Sequence, residues 1–83
     1  MPTGSTAVIR QGLELADWTI SDLWVAALGI GGGFSHLDIE HIASGRRQAT
    51  PTEHDILAAA FNDHFTDRAQ NHPVPYWRQL PDT

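Results

Sequence analysis

The fold is decided by a ten-residue stretch, Ser44-Gly45-Arg46-Arg47-Gln48-Ala49-Thr50-Pro51-Thr52-Glu53. Gly45 is the residue type that most often follows the end of an α-helix, because glycine adopts a left-handed backbone without steric cost. The tetrapeptide Thr50-Pro51-Thr52-Glu53 then combines a cap residue, a proline suited to the first helical position and a glutamate that completes a capping box. The stretch therefore predicts a corner between two helices, with Arg46 and Arg47 at the bend.

Two further helix starts lie upstream of this corner. Thr19 and Asp22 have the spacing of a capping box, and Ser35 is a second cap-like residue. We expect the first of these helices to end at Gly29, the second to end at Ser44, and the helix after the corner to end between residues 67 and 70. Their apolar or periodic positions are Ile20, Leu23, Trp24, Ala27 and Leu28; Leu37, Ile39, Ile42 and Ala43; and Ile56, Leu57, Ala60, Phe61, His64 and Phe65.

The sequence thus predicts an all-α protein, a small helix-turn-helix-like bundle of three to four short helices with an extended C-terminal arm. The prolines in Pro73-Val74-Pro75 exclude a helix there, while Val74, Tyr76 and Trp77 can anchor the arm to this chain or to a neighbour. The conformation of residues 7–16 stays open, because Gly12 interrupts the pattern. The expected organisation is a flexible N-terminal arm over 1–10, a helical domain over 11–70 and the tail over 71–83.

The composition limits the classes of partner. Ten acidic residues against five arginines and no lysine give a net charge of -5, which disfavours general attraction to nucleic acid or anionic lipid. The chain has no cysteine, so disulfides and thiolate metal sites are excluded. We see neither a membrane-spanning run nor a signal peptide and expect a cytoplasmic protein.

No motif predicts an enzyme or a cofactor. The segment Gly29-Ile30-Gly31-Gly32-Gly33 lacks the spacing of a dinucleotide loop and the lysine of a phosphate-binding loop. His36 and Glu40 share a helix face and could supply half of a metal site, completed by His41, His54 or His64. Metal binding is the weakest of the alternatives that we keep.

Three features occur together between Leu28 and Ala60. They are Leu28-Gly29-Ile30, the pattern Leu37-x-Ile39-x-x-Ile42-x-x-Gly45-x-Arg47, and the cap Thr50-Pro51-Thr52-Glu53 followed by Ile56-Leu57-Ala58. This combination resembles the Cro/C1-type (XRE, lambda-repressor-like) helix-turn-helix family. The pattern of the Gly-Gly pair, residues 53–60 and Asn62 is also similar to short bacterial proteins with no assigned activity. The first resemblance implies a repressor-like domain whose helix from residue 35 to residue 44 enters a DNA major groove.

The sequence leaves two principal functions. We expect a non-catalytic regulatory module that binds another protein, as a homodimer or as an accessory factor in gene regulation, because the charge is negative and aromatic residues are abundant for so small a chain. The predicted contact residues are His36, Asp38, Glu40, His41, Arg46, Arg47, Tyr76 and Trp77, and Trp18 is a further candidate surface anchor. The alternative is sequence-specific DNA binding, with Arg46 and Arg47 on phosphates and Ser35, His36 and Ile39 near base edges.

Overall fold

A computed structural model describes residues 4–69 and 74–80 of the chain, and within them all regular structure is helical. The elements are α1 (Gly4–Ala16), α2 (Ile20–Gly29), α3 (His36–Ser44), α4 (Pro51–Asp67) and a 3-10 helix (Trp77–Gln79). The expected all-α bundle is therefore confirmed. None of the described helices combines the length and the apolar character needed to cross a membrane.

Complete capping boxes open α2, α3 and α4 at the predicted positions. In each box the cap hydroxyl accepts a hydrogen bond from the backbone N–H of the third helical residue, and that residue's carboxylate accepts one from the cap N–H. The pairs are Thr19 with Asp22, Ser35 with Asp38 and Thr50 with Glu53. These boxes satisfy backbone groups that a helix start leaves without partners, so the helix starts are encoded locally.

The largest difference from the sequence-based expectation lies in α1. The helix runs without a break from Gly4 to Ala16, so residues 4–10 are helical where we expected a flexible arm. Gly12 does not interrupt it, because the missing side chain allows close packing on α4: a Cβ atom at Gly12 would lie 2.8 Å from Cε2 of Phe61. Residues 1–3 of the expected arm lie outside the described residues.

The core forms where α1 and α2 each pack against both α3 and α4. Its largest fully buried apolar side chains are Phe61, Phe65, Ile9, Leu23, Ile39, Ile42 and Leu57. Two leucines at predicted apolar positions are not part of it: Leu28 is 46% exposed and Leu37 is 55% exposed. The helix faces of α2 and α3 that pack into the core therefore do not include these two side chains.

The described part of the C-terminal arm folds back onto α4 of the same chain. The Asn62 side chain makes two hydrogen bonds to the backbone of Val74, donating to its carbonyl at 3.1 Å and accepting from its N–H at 2.8 Å. The backbone N–H of Trp77 donates to Asp55 Oδ1 at 2.8 Å. The arm is non-helical only as far as Tyr76, because Trp77 begins the 3-10 helix, and residues 71–73 and 81–83 lie outside the described part.

Candidate interaction surface

The eight residues predicted for partner binding lie in three places. His36, Asp38, Glu40 and His41 lie on α3, Arg46 and Arg47 lie at the corner before α4, and Tyr76 and Trp77 lie in the C-terminal arm. The structure brings Asp38 and Arg47 together, with Oδ1 and Nη2 separated by 3.9 Å. Tyr76 and Trp77 belong to a different part of the fold, since the arm packs on α4.

The start of α3 is fixed against α2 by side-chain contacts. Ser21 Oγ and His36 Nε2 are hydrogen-bonded at 3.0 Å, and the Trp24 indole N–H donates to the Phe34 carbonyl at 3.0 Å. The rings of Trp24 and His36 also meet edge to face, with centroids 5.9 Å apart. His36 is therefore a half-buried residue that positions α3, in addition to its predicted role in binding.

Exposed apolar side chains flank this junction. Val25 lies one helical turn after Ser21 and is 62% exposed. Leu28 follows three residues later on the same face, and Leu37 directly follows His36. We define the α2–α3 surface as Val25, Leu28, His36 and Leu37, which lie on either side of the contact between Ser21 and His36.

The corner between α3 and α4 is held by an internal ion pair. Arg47 donates from Nη1 to Glu53 Oε1 at 2.9 Å and from Nη2 to Glu53 Oε2 at 3.1 Å. The hydrogen bond from Arg47, aided by its charge and by Thr50, lowers the pKa of Glu53, while burial works in the opposite direction. The same hydrogen bond raises the pKa of Arg47. Arg47 therefore orders the corner, and much of its charge is balanced within the chain.

A buried hydrogen-bonded chain that the sequence did not reveal connects α1, α4 and the arm. Ser5 Oγ lies 2.8 Å from His54 Nδ1, and His54 Nε2 lies 2.9 Å from the carbonyl of Pro75. Because a carbonyl only accepts, Nε2 carries a proton and donates to Pro75. A serine beside an imidazole can also serve as nucleophile and base, but Ser5 is 4% exposed and His54 is fully buried. The contacts support a structural role for the pair.

Three of the four histidines considered as metal ligands are engaged in separate contacts. His36 bonds Ser21, His54 is buried between Ser5 and Pro75, and His64 packs between the rings of Trp18 and Phe65. Within residues 4–69 and 74–80, no three His, Asp or Glu side chains are grouped closely enough to hold a metal ion. The structure therefore does not assemble the set that the sequence suggested around His36 and Glu40.

The tryptophans chosen as surface anchors both contribute to packing. Trp18 is half-buried, with its ring 5.4 Å from that of Phe61 and 4.5 Å from that of His64. The ring of Trp77 lies against that of His54 at 5.9 Å. The more exposed apolar groups are Val25, Leu28 and Leu37. Val25 lies outside the apolar stripe of α2. An apolar residue at such a position is expected to be exposed, and this signal could have identified Val25 as a candidate contact residue from the sequence.

Comparison with known proteins gives no match: no family model, no curated protein and no solved structure is significantly similar to the chain.

Proposed function

We propose that the chain is a small non-catalytic regulatory module that binds a protein partner through the α2–α3 surface. The observation that carries this proposal is the exposure of Val25, Leu28 and Leu37, at 62%, 46% and 55%, around a junction that is otherwise well packed. Val25 and Leu28 lie on the face of α2 whose Ser21 contacts His36, and Leu37 is the next residue along α3. Exposed apolar patches are typical of interaction sites. The partner is a second copy of this chain or a separate protein, for example in gene regulation.

The charges around this surface favour protein over nucleic acid. Glu40 is exposed one helical turn after Leu37, and Asp22 is exposed in the first turn of α2. Arg47, a cation assigned to phosphates in the DNA alternative, is paired with Glu53. A partner with basic and apolar side chains complements such a surface better than a polyanion does.

The test uses substitutions that spare the fold. Asp38 is unsuitable for charge reversal because it closes the capping box of α3, so we choose Leu37→Ser and Val25→Ser. Leu15→Ser is the matched control, because Leu15 is an exposed leucine on α1. Light scattering measures self-association of the purified chain, and quantitative pull-down measures capture of a separate protein. We expect wild type and the control to form the same complex in these measurements, and the two surface variants to lose it. Equal complex formation by all four proteins would refute the proposed surface.

DNA binding is the second candidate. It is favoured by the order of α2, the short connection and α3, with Leu37, Ile39, Ile42 and Gly45 at the spacing that resembles the helix-turn-helix family. Arg46 is exposed next to the end of α3. Binding of this kind weakens steeply as salt increases, because each neutralised phosphate releases counterions. A pool of random duplexes that shows no binding at low salt would eliminate this candidate.

A further inference from the structure

A second concave feature of the molecule is a groove lined by most of the arginines of the chain. It has a volume of about 510 Å³ and lies between the first turns of α1 and the corner that follows α3. Its lining residues are Ser5, Thr6, Ala7, Arg10, Gly45, Arg46, Arg47 and Gln48. Three of the five arginines of the sequence therefore line one groove, and among the described residues no carboxylate does.

Two of these arginines keep charges that the chain does not balance directly. Arg10 and Arg46 are exposed, and neither forms an ion pair within the described residues. Arg47 is held by Glu53 at 2.9 Å, which fixes the backbone of the corner beside Arg46. The groove is thus a concave surface whose guanidinium groups of Arg10 and Arg46 form no ion pair with the described part of the chain.

We propose that this groove binds a phosphate group, carried either by a small molecule or by the backbone of a nucleic acid. A guanidinium group offers several N–H donors in a planar fork that matches phosphate oxygens. The volume falls in the range of small-ligand sites. The inference does not depend on the α2–α3 surface, because Arg10, Arg46 and Gln48 are not part of it.

The polar groups beside the arginines that suit a bound phosphate are backbone N–H groups of α1 and the side chain of Gln48. The hydroxyls of Ser5 and Thr6 are already engaged, the first with His54 and the second as a donor to the carbonyl of Ile42 at 3.1 Å. Their backbone N–H groups lie in the first turn of α1, where a helix provides no acceptor, and the helix dipole is positive there. Gln48 is exposed and lines the groove on the side of the corner.

Negative charges nearby limit the affinity without entering the groove. Arg10 also lines an adjacent groove that includes Glu14 and Glu40. These carboxylates oppose a bound anion through space, in proportion to their distance and screening. Removing the charge of Glu14 should therefore increase the affinity for phosphate, so the proposal also predicts a variant that binds more tightly than wild type.

The full chain is titrated at low salt with each of three ligands: inorganic phosphate, adenosine monophosphate and a random-sequence DNA duplex. Binding is followed by the chemical shifts of the backbone amides in NMR. We expect saturable changes confined to residues near 5–7 and 45–48. Arg10→Gln and Arg46→Gln should each weaken binding about tenfold, and Glu14→Gln should strengthen it. Arg68→Gln is the control. Arg68 lies at the end of α4, outside the groove, and its substitution changes the net charge by the same amount.

The three ligands distinguish the sources of the phosphate. Saturation by the mononucleotide without duplex binding supports a small molecule, whereas duplex binding that is displaced by inorganic phosphate supports the nucleic-acid backbone. The proposal is overturned if none of the three ligands gives saturable changes or if the changes spread over the surface. Equal weakening by Arg68→Gln also overturns it, since it would indicate a dependence on net charge alone.

Discussion

Arg47 and Glu53 form a two-point ion pair across the corner between α3 and α4, with N–O distances of 2.9 and 3.1 Å. Glu53 Oε1 also accepts the backbone N–H of Thr50 at 2.9 Å. One carboxylate therefore closes the capping box of α4 and holds the arginine that follows α3.

The first prediction separates these two roles. Glu53→Ala should lower the free energy of unfolding by about 1–2 kcal/mol, because it removes a capping interaction and an ion pair. Asp22→Ala is the matched control, since Asp22 closes a capping box that has no arginine partner among the described residues. Urea denaturation should show a smaller loss for Asp22→Ala, and equal losses would contradict a contribution from Arg47.

A second prediction concerns acid stability. The pKa of Glu53 is lowered in the folded chain, chiefly by the hydrogen bond from Arg47. Between the folded-state and the unfolded-state pKa of Glu53, the unfolded chain binds more protons than the folded chain. The stabilisation by Arg47 is therefore fully present above about pH 4.3, the ordinary pKa of glutamate. It is lost as the pH falls through the folded-state pKa. Urea denaturation across this range should show a smaller acid-dependent loss for Arg47→Gln than for wild type, and parallel curves would contradict the assignment.

The helix starts could be predicted from the sequence because each depends on residues close together in the chain. The pairs Thr19 with Asp22 and Ser35 with Asp38 span one helical turn, and the stop at Gly45, which has a φ of 84°, is equally local. Gly12 was misleading because its role is set by Phe61, 49 positions further along the chain. Helix propensity contains no information about such a contact.

The candidate surface was less predictable for the same reason. Leu37 fits the apolar period of α3, yet it is exposed because the described fold places no neighbour over it. Ser5 and His54 are also separated by 49 positions, and their hydrogen bond appears only when α1 and α4 are packed. Sequence patterns identify which side chains can be buried, whereas the packing of the helices decides which of them are.

The packing at Gly12 gives the third prediction. Gly12→Ala should destabilise the fold by about 1–3 kcal/mol despite the better helix propensity of alanine, because the new methyl group overlaps Phe61. Gly29→Ala is the control in another helix, where a Cβ would meet nothing within 4 Å. Thermal denaturation should show that Gly29→Ala is neutral or slightly stabilising. A stabilising Gly12→Ala would contradict the close approach of α1 and α4.

The buried chain through His54 gives the fourth prediction. Ser5→Ala should cost about 1–3 kcal/mol, because it leaves His54 Nδ1 buried without a partner, in a fold where every described buried side-chain nitrogen or oxygen has one. Ser44→Ala is the control: its hydroxyl is exposed and donates to the His41 carbonyl, so the change should stay within about 0.5 kcal/mol. Equal urea midpoints for the two variants would argue against the buried bond.

The most direct test of the account is photo-crosslinking in living cells, with a photoreactive amino acid placed at position 37 or, as the control, at position 15. Both positions carry exposed leucines, on α3 and α1 respectively. Because the α2–α3 surface is proposed to bind protein, position 37 should give a discrete protein adduct that position 15 does not give. A nucleic-acid adduct at position 37, or the same adducts at both positions, would contradict the proposed function.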